Sequence, residues 1–188
     1  MNTTNLFVEL VVIGVGTLLA LMLTIMSIFG YGWISWEKIT SSTMLIPLLS
    51  ITYLLGIVID RIADSFFDNW NKKLRLKIFS TNEEYHQALI YVYNYASERI
   101  VSLFLYSRSR LRISRAWSFN CIFLAITISI FVWTRLSQIS YSDKIIITVF
   151  STIIFGLGTV ANCFTWRKLT INDYKRLAET NTILRNNP

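Results

Sequence analysis

Acidic side chains cluster at the end of an apolar segment that begins near residue 44. Asp60, Asp64 and Asp68 follow one another at intervals of four, so a helix would stack them on one face. Arg61 could reach Asp64 three residues further along the same helix. Charged groups at membrane depth are costly unless they are paired or hydrated, and they often mark ion paths. The pattern predicts an ion-pair ladder, which we favour, or the inner mouth of a pore whose candidate residues are Asp60, Arg61 and Asp64.

Basic side chains lie just before a later apolar segment. Four arginines occur within eight residues, and all except Arg110 share one helix face by their spacing. Because this run adjoins a membrane-length segment, we expect it to bind the acidic stripe or anionic lipid headgroups, and we expect no nucleic-acid binding. The candidates are Arg108, Arg110, Arg112 and Arg115.

Two asparagines lie inside apolar segments, close to the depth of the acidic residues. Asn120 and Asn162 predict hydrogen bonds between helices, with pore lining as the alternative. Gly-x-Gly pairs at residues 14–16 and 156–158 indicate close helix packing, because no strand precedes them as a nucleotide-binding motif would require.

Residue types that usually perform catalysis are scarce. The chain has one histidine, His86, and its two cysteines are Cys121 and Cys163. No His/Cys cluster of zinc-binding spacing, no phosphate-binding loop and no Ser/His/Asp set is recognisable. We therefore expect no catalytic residue, no metal and no cofactor, and we do not expect an enzyme.

The elements that must position these residues are membrane-length helices. Of 188 residues, 53% are hydrophobic and 15% are charged, whereas soluble domains are about 25% charged. Four apolar segments approach the roughly 20 residues that a membrane-spanning helix needs, and all six tryptophans lie at their ends, as expected for the headgroup level. The first segment is interrupted only by Glu9. The segments are Leu6–Phe29, Met44–Ile59, Trp117–Thr134 and Ile145–Phe164.

The distribution of basic residues predicts the topology. Residues 68–116 hold nine Lys and Arg, and the stretch after the fourth segment holds five more. Because basic segments stay in the cytoplasm, we expect an all-α polytopic membrane protein of the prokaryotic inner membrane with both termini cytoplasmic. Its parts would be 1–67, transmembrane helices 1 and 2; 68–116, a basic cytoplasmic helical segment; 117–166, transmembrane helices 3 and 4; and 167–188, a cytoplasmic C-terminal helix.

The segment between the second and third spans should be a long helical extension. No Gly or Pro occurs between Gly56 and Gly156, and residues 80–84 read as a capped helix start. One helix could run from about residue 82 to about residue 134. Aromatic and apolar residues on its face predict a surface for a second copy of the chain or for a cytosolic partner, and the C-terminal helix could pack beside it. The surface candidates are Tyr85, Leu89, Val92, Ala96 and Ile100.

The C-terminal half resembles a known group of proteins. Residues 117–166 are flanked by the basic run 108–115 and by Trp166-Arg-Lys and Asp173-Tyr-Lys-Arg-Leu-Ala-Glu. This layout resembles small membrane effectors of prokaryotic anti-phage systems, including the SLATT type, in which basic cytosolic helices flank two spans. The resemblance implies regulated pore formation beside a partner that senses infection. The two additional N-terminal spans and the Asp60–Asp64 stretch depart from that pattern.

These observations lead to two hypotheses of different classes. The first is a homo-oligomeric channel or membrane-disrupting effector in antiviral defence, with membrane lipids, itself and a cytosolic protein as partners. The second is a membrane anchor or sensor subunit that recruits a cytosolic protein without conducting ions. A small transporter that dimerises is a further alternative.

Overall fold

The computed structural model of the chain describes residues 3–32, 35 and 41–186. Within these residues the chain forms five α-helices and no strand. They are α1 (Thr3–Phe29), α2 (Ser42–Arg75), α3 (Asn82–Tyr95), α4 (Glu98–Arg135) and α5 (Tyr141–Asn186). The tryptophans at positions 33 and 36, which the sequence places after the first span, lie outside the described residues.

Four of these helices, α1, α2, α4 and α5, are long and apolar enough to cross a membrane. Each contains one of the four apolar segments, so the prediction of an all-α protein with four membrane-length helices is confirmed. The helices run alternately up and down, and α4 contacts α1, α2 and α5. A helix is a suitable structure for such apolar segments because it satisfies its backbone hydrogen bonds internally, which lipid cannot do.

Small residues set the closest approach in the bundle, between α1 and α2. A Cβ atom added to Gly14 would lie 1.8 Å from the carbonyl oxygen of Thr52, and one added to Gly56 would lie 2.0 Å from that of Leu10. Only glycine permits backbones to approach so closely, which is how membrane helices gain packing without a hydrophobic driving force. The close packing predicted for residues 14–16 is therefore present.

One end of the bundle carries a second core. This end, called here the basic end, is formed by the last turns of α2, by α3, by the start of α4 and by the C-terminal part of α5. Nine buried side chains from all four helices and the α2–α3 turn meet there, and aromatic rings predominate among them. They are Phe67, Leu74, Phe79, Ala88, Val92, Phe104, Trp166, Tyr174 and Leu177. The C-terminal helix thus packs beside the 68–116 segment, as predicted.

The start of α3 agrees with the sequence prediction. The Thr81 hydroxyl accepts a hydrogen bond from the backbone N–H of Glu84 at 3.1 Å. The Glu84 carboxylate in turn accepts one from the backbone N–H of Ser80 at 2.7 Å. This reciprocal arrangement satisfies N–H groups that the first helical turn leaves without partners.

Two helix boundaries differ from the prediction. The helix expected from about residue 82 to 134 is interrupted at Ala96 and Ser97, whose ψ angles of 152° and 151° are extended. Ser97 precedes Glu98, a pairing that favours a new helix start even without Gly or Pro. Conversely, no break separates residues 167–186 from the fourth span, because α5 continues for 46 residues.

Candidate functional site

An ion-paired cluster joins α2 to α4 at the basic end. Arg112 donates to one carboxylate oxygen of Asp60, at 2.8 Å from Nη2 and 3.2 Å from Nε. Arg115 donates from Nη2 to the other Asp60 oxygen at 3.2 Å, and its Nη1 donates to Asp64. Asp60 therefore bridges two guanidinium groups, and its side chain is only 9% exposed. Charge-assisted bonds of this kind are the strong ones in a low-dielectric site.

Glu9 adds a third acid to the cluster from α1. Its Oε1 lies 3.3 Å from Nε of Arg112, and its side chain is 2% exposed. Among the residues that the structure describes, neither carboxylate oxygen of Glu9 has a hydrogen-bond partner. Glu9 is not among the site residues that the sequence predicts, although a single carboxylate in an otherwise uncharged apolar helix is a signal of such a site. Glu9, Asp60 and Asp64 face two arginines, so the cluster holds more acids than bases.

Four residues of the cluster, Asp60, Asp64, Arg112 and Arg115, line a cavity of about 600 Å³. The cavity reaches from Leu6 and Leu10 on α1 to Asp173 and Tyr174 on α5. Its walls carry charges of both signs, so a site of this size and polarity has room for several water molecules. The charged residues that line it are Asp60, Arg61, Asp64, Arg108, Arg112, Arg115 and Asp173.

The rim of the cavity beyond the apolar part of α5 contains groups with altered acidity. Burial raises the pKa of Asp173 above its ordinary value, while Ser107, Arg108 and Arg176 act in the opposite direction. One oxygen of Asp173 is buried without a hydrogen-bond partner. Burial also raises the pKa of Tyr174 to about 12. These groups keep their neutral forms to higher pH than they would in water.

The two asparagines differ in what they bind. Asn120 is fully buried, donates from Nδ2 to the Ile13 carbonyl at 2.7 Å, and accepts from the Thr17 hydroxyl at 2.8 Å. Asn120 therefore links α4 to α1, and the hydrogen bond between helices that the sequence predicts for it is present. Asn162 instead donates to Gly158 of its own helix at 2.8 Å. Neither asparagine lines the charged cavity.

The four arginines predicted to bind acids or lipid divide into two pairs. Arg112 and Arg115 form the ion pairs described above. Arg108 lies over the ring of Tyr93 and Arg110 over the ring of Tyr106, at 5.5 and 5.7 Å from the ring centroids. Arg61 lines the cavity without an ion pair among the described residues, because Asp64 faces Arg115 across the helix interface instead.

The face predicted to bind a second copy or a cytosolic partner packs within the chain itself. Val92 is buried completely, and Tyr85, Leu89, Ala96 and Ile100 pack against the core of the basic end. The reason is that α5 continues past its apolar segment and lies over α3. These five residues therefore help to pack α3 and the start of α4 into the core and leave other residues on the surface.

The chemistry available to the cavity is electrostatic. Among the described residues, no three His, Cys, Asp or Glu side chains lie close enough to hold a metal ion. The buried acids face guanidinium groups, an arrangement that can bind water and hold ions or protons. No protein-family model matches the chain, and no curated protein or solved structure matches it.

Proposed function

We propose that this chain forms a homo-oligomeric membrane channel or membrane-disrupting effector, with the charged cavity at the inner mouth of its path. The observation that carries the proposal is the buried cluster of Glu9, Asp60, Asp64, Arg112 and Arg115. Well-packed apolar residues can stabilise a helix interface as well as buried ion pairs do, so the ion pairs are weak evidence for a purely stabilising role. Ionisable groups at membrane depth often mark ion paths, and a paired cluster can serve both as an ion-pair ladder and as a gate.

The proposed resting state is closed within one copy. Beyond the cluster, Ile13, Ala116 and Asn120 are completely buried, and α1 and α2 touch at Gly14 and Gly56. Opening requires α2 to move from α4, which separates Asp60 from Arg112 and Arg115. The ion pairs then hold the closed state together, and their separation exposes the carboxylate and guanidinium groups to the ion path.

A stripe on α5 supports assembly from several copies. Six large apolar residues alternate at spacings of four and three, which is the pattern of a helix-pairing seam. Each is more than half exposed in the single chain. Either lipid or a second copy can cover this stripe, and a second copy extends the set of helices available for a pore. The residues are Ile146, Phe150, Ile153, Leu157, Val160 and Phe164.

We further propose that the basic end faces the cytoplasm. Both the start of α1 and the end of α5 lie at the basic end, since Glu9 contacts Arg112 and Leu177 joins its core. The positive-inside rule places that end in the cytoplasm, and the prokaryotic inner membrane is the membrane we propose. A role in antiviral defence rests on the resemblance in layout, with membrane permeabilisation as the effector step.

Ion flux through liposomes that contain the purified protein tests the role of the cluster. Asp64→Asn removes one charge from a side chain that is half exposed and paired with Arg115. Asp68→Asn is the matched control, because Asp68 pairs on the surface with Lys72 of its own helix. We expect the first variant to change flux or ion selectivity and the second to behave as the parent. Equal flux in all three proteins, or none above that of empty liposomes, contradicts the proposal.

The second candidate function is a membrane anchor that recruits a cytosolic protein. Exposed apolar residues on α3 and the start of α4 favour it, namely Ile90, Tyr95, Leu103 and Tyr106. Deletion of the C-terminal helix is not a clean test, because Tyr174 and Leu177 complete the core. Replacing Ile90, Tyr95 and Tyr106 with serine should release a bound partner while leaving ion flux unchanged. Retained co-purification with altered flux excludes the anchor as the main role.

A further inference from the structure

A second cavity of about 600 Å³ lies between α2 and α5. It is separate from the charged cavity, although Trp166 lines both. Apolar and aromatic residues form its floor and walls. These residues are Phe67, Trp70, Leu74, Val160, Cys163, Phe164 and Trp166. The cavity lies where both helices change from apolar to basic sequence, which is the level at which tryptophan rings meet lipid headgroups.

Three basic residues, Lys73, Lys77 and Arg167, also line this cavity. All three are exposed, and none forms an ion pair among the residues that the structure describes. In this they differ from Lys72, which pairs with Asp68, and from Arg112 and Arg115 in the charged cluster. An apolar cavity with three basic residues at its edge is complementary to a ligand that is both apolar and anionic.

We infer that this cavity binds an anionic phospholipid. The headgroup phosphate would lie among Lys73, Lys77 and Arg167, and one acyl chain would follow α5 along Val160 and Phe164. At these last two positions of the α5 stripe the lipid, and not a second copy, would cover the helix. Basic pockets between membrane helices at the cytoplasmic face are typical sites for such lipids. The inference is independent of conduction, because it rests on residues outside the charged cluster.

The consequence is a lipid that ties α2 to α5. Lys73 and Lys77 lie on α2 or directly after it, whereas Arg167 lies on α5. The ring pairs of Phe67 and Trp70 with Trp166 and the hydrogen bond from the Tyr174 hydroxyl to Asn71 also join these two helices. A bound phosphate bridges the gap with charge-assisted hydrogen bonds.

Native mass spectrometry of the full-length protein in detergent, titrated with phosphatidylglycerol or phosphatidylcholine, tests the site. We expect the first phosphatidylglycerol to bind the parent about tenfold or more tightly than it binds the variant K73Q/K77Q/R167Q, since each basic residue near a membrane surface contributes appreciably to lipid binding. The control K168Q/K175Q/R99Q also removes two Lys and one Arg, but from exposed positions outside the cavity. It should bind like the parent.

Three results overturn the inference. Equal weakening in both triple variants shows general attraction to a basic surface. Equal binding of the two lipids shows that the headgroup charge is not read. Competition by inorganic phosphate at the concentration of the lipid shows a site for the free anion, without use of the apolar wall. Matching thermal unfolding of the three proteins establishes that each is folded.

Discussion

Asp60 on α2 accepts two hydrogen bonds on a single carboxylate oxygen from Arg112 on α4, at 2.8 and 3.2 Å. The other oxygen of Asp60 faces Arg115. One carboxylate thus holds two guanidinium groups that lie three residues apart on α4. Removing its charge leaves Arg112 with Glu9 and Arg115 with Asp64 as their remaining acidic partners.

The first prediction concerns the stability that Asp60 provides. Asp60→Asn should lower the free energy of unfolding by about 1.5–3 kcal/mol, because charge-assisted hydrogen bonds to Arg112 and Arg115 are weakened while Glu9 and Asp64 still face these arginines. Asp68→Asn should change it by less than about 1 kcal/mol, since its pair with Lys72 is on the surface. Denaturant unfolding in mixed micelles measures both values. Similar losses in the two variants would show that the cluster is not a buried network.

The second prediction compares the two asparagines. Asn120→Ala removes both bonds that join α4 to α1 and should cost about 1–2 kcal/mol of unfolding free energy. Asn162→Ala removes a bond within α5 alone, so its effect should be much smaller. The same unfolding measurement distinguishes them, and an equal or reversed order would contradict the assignment of Asn120 as an interhelical link.

The third prediction concerns glycine packing. Gly14→Ala or Gly56→Ala places a methyl group against the backbone of the facing helix, so we expect a loss of about 1–3 kcal/mol. Gly156→Ala is the control, because no atom outside its own helix backbone lies within 4 Å of the added Cβ. Thermal unfolding should separate the variants by a lower midpoint for the first two only. A lowered midpoint for Gly156→Ala would show that this position is packed against something outside the single chain.

The fourth prediction is a pH dependence at the basic end. The pKa of Asp173 in the folded chain is raised from 3.8, so ionisation costs more in the folded state than in the unfolded state. The stability it contributes is fully present below pH 3.8 and is lost as the pH rises through the folded pKa. Stability should therefore increase when the pH is lowered from neutrality towards that folded pKa.

Asp173→Asn tests the assignment of this pH dependence. The groups that face Asp173 are Ser107 and Arg108 from α4, Arg176 from its own helix, and Tyr85 from α3. The variant should flatten the dependence of the unfolding midpoint on pH, whereas Asp143→Asn, at the other end of α5, should leave it as in the parent. An unchanged slope in Asp173→Asn would assign the effect to another group.

Features that depend on local sequence were predictable. Run length and hydropathy identify the four long helices, and Thr81 with Glu84 marks the start of α3. The spacing of Asp60 and Asp64, like that of Arg112 and Arg115, places each pair on one face, and pairing between the faces follows from opposite charge.

Features that depend on helix rotation and long-range contact were not predictable. Glu9 meets Arg112 only because α1 turns that face towards α4. Asp64 pairs with Arg115 of α4 and not with Arg61 of its own helix, because the packing of α4 against α2 places Arg115 beside it. The break at Ala96 and Ser97 contains no Gly or Pro, and Ser97 with Glu98 is only a weak local signal for it, whereas the packing of α3 against α5 depends on long-range contacts.

The continuity of α5 has a mechanical consequence. At 1.5 Å per residue, its 46 residues make a rod about 70 Å long. Its C-terminal part is clamped by α3 through Tyr174 and Leu177, while its other end reaches the far side of the bundle. We expect a displacement of α3 to move the C-terminal part of α5 and to bend α5 most easily at residues 156–158, where two glycines lie. A bend there would tilt the outer end of α5 while its C-terminal part stays packed in the core of the basic end.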